Sequence, residues 1–135
     1  MRISARGKYA LQAILEMSKA PPGAVLKVAD IAAGPRIPPE YLVQVLILLK
    51  TAGIVESVRG KTGGYRLARR RSQITVADVI EAVEGGIHPV AGLGWTLLDI
   101  LNRADQAARS VLAATTFEDL CKAELERRET VTYAI

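Results

Sequence analysis

The chain has 135 residues, half of them hydrophobic, and a formal net charge of +4. This composition excludes a disordered chain and suits one domain with its own core. The single cysteine excludes an intrachain disulfide, and the longest uncharged stretch, residues 85–98, is too short and too rich in glycine to span a bilayer. The first nine residues are charged and lack the apolar core of a secretion signal, so we expect a cytoplasmic protein with no membrane partner.

Basic residues are concentrated in the first half of the chain and acidic residues in the second. Up to Arg71 there are 13 Lys and Arg against 4 Asp and Glu, whereas from Ser72 onward there are 5 against 10. Basic side chains gathered in one half favour a polyanionic partner such as DNA, because they neutralise phosphates and release counterions. A generally basic soluble protein remains the alternative on charge alone.

Three helices are predicted in the basic half. Ser4 is a typical N-cap, and the apolar spacing behind it predicts a first helix to about Lys19, followed by a turn at residues 21–23. A short second helix is predicted over Val28–Ala33. Pro38 and Pro39 open a third helix, where proline costs no hydrogen bond. Its buried stripe, at helical spacing, is Leu42, Val45, Leu46 and Leu49.

A hairpin and a fourth helix follow. Residues 54–58 and 65–67 read as short strands, joined by the basic, glycine-rich turn at residues 59–64. Thr75 with Asp78 three residues on predicts a capping box for the fourth helix, whose stripe is Val76, Val79, Ile80 and Val83. This order predicts a mainly α fold with a small β-hairpin wing, a winged helix–turn–helix whose third helix is the recognition helix.

The acidic half is predicted to form a separate dimerisation region. A helix from about Trp95 to Ala114 carries an apolar stripe that so small a domain has no surface to cover, which predicts a homodimer. The predicted dimerisation residues are Trp95, Leu98, Leu101, Val111 and Leu112. Thr116 with Asp119 caps a last helix, whose predicted inward residues are Phe117, Leu120, Cys121 and Leu125. We therefore divide the chain into a DNA-binding domain, 1–86, and a linker with dimerisation and C-terminal helices, 87–135.

Several motifs resemble those of the Rrf-type transcriptional regulators. They are the opening Met1-Arg2-Ile3-Ser4 with Gly7-Lys8-Tyr9-Ala10, then Ala29-Asp30-Ile31, Ile37 with Tyr41-Leu42, and Gly53-Ile54-Val55. The most specific part is the wing, Ser57-Val58-Arg59-Gly60 with Gly63-Gly64-Tyr65-Arg66-Leu67-Ala68. The fourth helix, from Ile74-Thr75 to Glu84-Gly85, completes a similarity that covers residues 1–86 by motif and the rest by layout.

The resemblance implies a homodimeric transcriptional regulator, expected to be a repressor, on a palindromic operator of double-stranded DNA. It implies a recognition helix in the major groove and a wing at an adjacent minor groove. Many members hold an iron–sulfur cluster through three cysteines that precede the long helix. Here that segment, residues 86–94, has no cysteine, and Cys121 alone cannot supply the several thiolates that a cluster needs. We therefore predict no cofactor and no metal.

The predicted DNA contacts come from three places: the start of the first helix, the outward face of the recognition helix and the wing. They are Arg2, Arg6, Lys8, Pro39, Glu40, Tyr41, Gln44, Arg59, Gly60, Lys61, Gly63, Gly64 and Tyr65. Gln44 can pair with adenine, whereas Glu40 repels phosphate. The recognition helix departs from the family's usual pattern, because its outward positions also include Val43, Ile47 and Leu48.

Other functions stay open. Those outward aliphatic residues also fit a protein-interaction module that has lost operator reading. The run Arg69–Arg71 suits either DNA contact or a solvated edge. His88 is inert or a sensor of pH or metal, and Cys121 is a core residue or a redox sensor. A small-molecule or protein effector is expected near His88 and Trp95, and nothing resembles a catalytic site.

Overall fold

The computed structural model describes residues 3–85 and 92–134, the side chains of 131–134 excepted. It contains six α-helices and one hairpin within those ranges. The elements are α1 (Ala5–Lys19), α2 (Val28–Ala33), α3 (Pro39–Thr51), β1 (Val55–Val58), β2 (Gly64–Leu67), a 3-10 turn (Arg71–Gln73), α4 (Val76–Glu84), α5 (Trp95–Ala113) and α6 (Phe117–Ala134). The predicted fold, a mainly α winged helix–turn–helix with a long late helix, is confirmed. No helix in the described ranges has the length and apolarity to cross a bilayer.

The predicted helix starts are confirmed by their hydrogen bonds. The Ser4 hydroxyl accepts a hydrogen bond from the Gly7 amide at 3.2 Å. Thr75 and Asp78 form a reciprocal capping box, with bonds of 3.0 and 3.1 Å. Thr116 and Asp119 repeat it with the same two distances at the start of α6. Each cap satisfies amides that the first turn of a helix leaves without partners.

The core lies where α1, α3 and α4 meet, closed on one side by the hairpin and on another by α6. The buried stripe of α3 is the predicted one, and Ile14, Ile54, Ile74 and Phe117 are fully or almost fully buried beside it. The short turn from α2 into α3 is anchored by buried Ile37, whose amide donates to the Ala32 carbonyl at 3.0 Å. The helix–turn–helix is therefore fixed to the core at its turn as well as along α3.

Two expectations about apolar residues were wrong. Leu48 was expected to point outward, but it is half-buried and packs against the core, because the apolar face of α3 is wider than the four-residue stripe. Leu125 was expected to pack inward, but 58% of it is exposed. An ion pair at 2.8 Å joins Glu124 to Lys19, the last residue of α1. The neighbouring residue Glu124 thus pairs with the last residue of α1, and Leu125 itself is left exposed.

The hairpin has a third partner that the sequence pattern does not indicate. β1 and β2 pair antiparallel from Val55 with Leu67 to Val58 with Gly64. On the outer edge of β2, Leu26 and Tyr65 exchange two backbone hydrogen bonds of 2.8 Å each. The segment that leads into α2 therefore holds the wing strand from its free side.

The C-terminal helix returns to the first domain. The Phe117 amide donates to the Ile74 carbonyl and the Val76 amide to the Thr115 carbonyl, each at 3.0 Å. Phe117 is fully buried and Cys121 is 6% exposed. The division at residue 86 stays a prediction, although the start of α6 belongs to the same core as α1 and α4.

Candidate nucleic-acid interface

The exposed face of α3 is the surface opposite its buried stripe. Pro39, Glu40 and Gln44 are exposed there, as are Val43 and Ile47, the latter by 53%. These positions follow from the helical period, because every residue of the buried stripe is turned away from them. The face offers an amide to base edges, two aliphatic groups to thymine methyls and one carboxylate.

Tyr41 is half-buried and differs in this from its exposed neighbours. Its ring meets that of Tyr9 edge-on, with the ring centroids 5.1 Å apart, and the Lys8 ammonium lies 5.7 Å from the Tyr9 ring. The pair joins the start of α1 to the start of α3. The structure therefore gives Tyr41 a packing role between the two elements that carry most of the predicted contacts, and its contact with DNA stays a prediction.

The wing tip presents positive charge that no acidic side chain neutralises within the described part of the chain. Arg59, Gly60 and Lys61 are exposed, and the turn is closed by the Gly63 amide, which donates to the Gly60 carbonyl at 3.0 Å. The Lys27 ammonium donates to the Lys61 carbonyl at 3.0 Å and adds a third cation near the tip. Gly60 has φ +107°, a conformation that residues with a side chain rarely adopt.

The remaining wing residues have structural roles that explain their identity. A Cβ at Gly63 would overlap the Val58 carbonyl oxygen, and one at Gly64 would overlap the Leu26 carbonyl oxygen. Tyr65 is half-buried against the core. The glycines let the backbone of the wing approach its neighbours, so direct DNA contact by these three residues stays a prediction.

The N-terminal part of the predicted interface is tied to the end of α4. Arg6 and Lys8 are exposed on the first turns of α1, and Arg2 lies outside the described residues. The Glu84 carboxylate accepts hydrogen bonds from the Ser4 hydroxyl and from the Ser4 amide, the latter at 3.1 Å. Sequence reasoning missed Glu84, because its partner is 80 residues away and no local pattern joins them.

The donor set does not fit an iron–sulfur cluster. The chain has a single cysteine, and its thiol lies on the inward side of α6. A second copy of the chain would add only one further buried thiol, whereas clusters are held by several cysteine ligands. Among the described residues no three His, Cys, Asp or Glu side chains gather to hold a metal ion. His88 lies outside those residues.

The long helix α5 has no buried residue in the single chain. Trp95 is 90% exposed and Val111 67%, and Leu101 is also exposed, whereas Leu98 and Leu112 are half-buried. Leu97 and Ile100 are exposed as well and were not predicted, although the helical period places them beside Leu101 and Ala104. An uncovered apolar stripe of this length is typical of an interface.

Comparison with known proteins agrees with this architecture. A family model named Rrf2, described as an iron-dependent transcriptional regulator, matches residues 3–123. A Mycobacterium tuberculosis protein named as an HTH-type transcriptional regulator is 38% identical over 130 residues, covering 89% of this chain and 81% of that protein. The Bacillus subtilis HTH-type transcriptional regulator CymR is 35% identical over 123 residues, covering 89% of each chain.

Two solved structures have the same fold. The structure of CymR, the global cysteine regulator of B. subtilis, has a TM-score of 0.79 at 30% identity and covers 91% of this chain and 98% of that one. The structure of T. potens IscR has a TM-score of 0.80 at 28% identity, with coverage of 92% and 88%. The similarity therefore extends through α5 and into α6, well beyond the motifs of the first 86 residues.

Proposed function

The chain belongs to the Rrf2 family of transcriptional regulators, and on that basis we propose that it binds a palindromic operator as a homodimer and represses transcription without an iron–sulfur cluster. Like its relatives, which are named as transcriptional regulators, the chain is a DNA-binding regulator and not an enzyme. The observation that carries the proposed binding mode is the combination of a wing tip whose cations have no ion pair among the described residues and a recognition helix whose outward side chains are exposed.

The proposed binding mode places α3 in the major groove and the wing at the adjacent minor groove. Gln44 donates to and accepts from a base edge, and Val43 and Ile47 contact thymine methyl groups. Arg59 and Lys61 neutralise phosphates near the minor groove, and Arg6 and Lys8 do so at the start of α1. Two copies would address half-sites about one helical turn, roughly 34–36 Å, apart or a multiple of it.

Salt-dependent binding tests the role of the wing. Fluorescence anisotropy with palindromic fragments from upstream of the gene would give the affinity as a function of salt. The slope of log K against log salt is negative, and Arg59→Ala is expected to reduce its magnitude by about 0.9 per chain, hence about 1.8 per dimer. Arg127→Ala removes the same charge from an exposed site on α6 and is the matched control. No binding at low salt, or equal slopes for the two variants, would contradict the proposal.

The homodimer is proposed from α5, which exposes Trp95, Leu97, Ile100, Leu101 and Val111 along one chain. Burial of such side chains drives association in water. Val111→Glu is expected to convert the dimer to a monomer in light scattering. Ser110→Glu, an exposed neighbour on another side of the helix, should remain dimeric. A wild-type protein that stays monomeric at micromolar concentration would refute this part.

Two further experiments test the proposed repression and the proposed lack of an iron–sulfur cluster. Protein purified without oxygen should show no visible absorbance beyond the protein band, because one buried thiol cannot ligate a cluster. In transcription assays on an operator-bearing promoter, added protein should reduce the transcript. Activation of the promoter would reverse the proposed sign, and a stoichiometric cluster spectrum would overturn the cofactor proposal.

A second function rests on the apolar residues of the recognition helix. Val43 and Ile47 are exposed by 38% and 53%, and exposed aliphatic side chains also suit a protein partner. Ile47→Asp separates the two functions, because it places a negative charge where α3 would approach DNA. Loss of DNA binding with partner capture intact would exclude the interaction-module function, and the reverse result would favour it.

A further inference from the structure

A cavity of about 650 Å³ lies at the base of the wing, away from the predicted DNA contacts. The end of α1 and the turn at residues 21–24 form one wall, and residues 67–72 form the other. Glu118, on the first turn of α6, closes it. The volume falls in the range of small-molecule sites, about 300–1,000 Å³. The four residues of β2 separate it from the wing tip by about 13 Å of strand.

The cavity combines an apolar floor with a rim of arginines. Met17, Ala20 and Leu67 supply apolar surface. Arg69, Arg70 and Arg71 all line the rim, but two of them are already held: Arg71 donates to the Ser18 carbonyl at 3.1 Å, and Arg69 lies 3.8 Å from Asp78. The Arg70 side chain makes no hydrogen bond or ion pair to any residue that the structure describes.

The charge balance selects the class of ligand. Asp78 neutralises Arg69, and Glu118 offsets one more of the three arginines, so the site has about one positive charge in excess. A planar guanidinium matches a carboxylate with two parallel hydrogen bonds. Glu118 disfavours a second negative charge on the ligand, as in a phosphate dianion. We propose that this cavity binds a small organic monocarboxylate, with Arg70 on the carboxylate and a short apolar chain on the floor.

The position of the cavity connects it with the wing. Its turn wall, residues 21–24, leads directly into Leu26, which is bonded to Tyr65 of β2. Its other wall begins with Leu67, the last residue of the same strand. A ligand that touches both walls therefore joins the two segments that hold the wing. This regulatory part rests on the proposed DNA-binding function, whereas ligand binding does not.

Titration of the full chain with isovalerate, followed by NMR at constant ionic strength, tests the site without DNA. We expect saturable shifts of the Ser18, Ala24 and Ser72 amides with a dissociation constant on the order of 1 mM. Arg70→Ala should weaken binding about tenfold, and the variant should fold, because the Arg70 side chain has no partner among the described residues and its backbone bond to Gln73 is kept. Arg127→Ala should bind as the wild type does. Inorganic phosphate should bind at least several-fold more weakly.

Each other outcome has a defined meaning. No saturation up to 50 mM (about fifty times the expected constant), or equal binding by Arg70→Ala, overturns the site. Phosphate binding as tight as isovalerate overturns the monocarboxylate assignment. A loss of DNA affinity for Arg70→Ala without ligand as large as that for Arg59→Ala would make Arg70 a DNA contact and overturn the link to the wing, while the NMR titration still decides the site. An unchanged DNA affinity in saturating isovalerate would overturn only the link to the wing.

Discussion

Gly64 lies where the wing strand passes closest to the segment that leads into α2. A Cβ at this position would overlap the carbonyl oxygen of Leu26, a backbone atom that cannot rotate aside as a side chain could. Leu26 and Tyr65 exchange two hydrogen bonds of 2.8 Å at this point. Gly64→Ala is therefore expected to force the two segments apart and to break both bonds.

The expected loss follows from those two bonds. A backbone hydrogen bond contributes about 0.5–1.5 kcal/mol net, so the pair contributes about 1–3 kcal/mol. The core is not touched by the substitution, so most of the surface buried in the native state is unchanged. The urea midpoint should therefore fall while the slope of the transition stays the same.

Equilibrium urea unfolding followed by circular dichroism measures this loss, with Gly34→Ala as the control. Gly34 has φ −61°, which alanine adopts freely, and a Cβ there meets only the flexible Glu16 carboxylate. Gly64→Ala should also weaken operator binding, because the wing is no longer held. A loss of stability under about 0.5 kcal/mol, or one equal to that of the control, would refute the argument that the Leu26 pairing fixes the wing.

Three further predictions concern the helix ends and the C-terminal helix. Phe117→Ala should lower the free energy of unfolding by about 3–5 kcal/mol, because the ring is fully buried. Leu125→Ala on the same helix should change it by about 0.5 kcal/mol or less. Both are measured by urea unfolding in a Val111→Glu background, in which the protein is expected to be monomeric. The Thr116 backbone amide and then its hydroxyl lower the pKa of Asp119, so the capping box stabilises the fold fully above about pH 4 and loses that contribution as the pH falls further. Asp119→Asn should flatten this part of the acid-unfolding curve, and an unaltered curve would contradict the assignment. Glu84→Gln should speed amide hydrogen exchange at Gly7 and Lys8, because the Ser4 bonds lose their charged acceptor, while Glu81→Gln, exposed one turn earlier, should leave exchange unchanged.

The sequence predicted the helices well because their ends carry local chemistry. Ser4, Thr75 and Thr116 each cap the helix that they were expected to cap, and the stripe of α3 follows a single period. These signals lie within four residues of the feature that they specify. No tertiary information is needed to read them.

The pairings that hold the interface together could not be read in that way. The bond from Glu84 to Ser4 and the pairing of Leu26 with Tyr65 join residues that are distant in sequence, and the second involves a single residue with no strand pattern around it. Leu48 and Leu125 were misplaced because burial at the edge of a stripe depends on what packs there. The arginine run was left open because its surroundings, not its composition, decide its role.

The Leu26 pairing also bears on how the protein avoids self-association through its sheet. A two-stranded hairpin exposes unpaired amides and carbonyls along its edges, and such edges recruit strands from other molecules. Leu26 occupies the edge of β2 at Tyr65, and Pro21, Pro22 and Lys27 flank it on the covering segment. Proline and lysine both disfavour the addition of a further strand. The segment that holds the wing therefore also occupies the edge of β2 at Tyr65, where a strand of another molecule would otherwise find unpaired backbone groups.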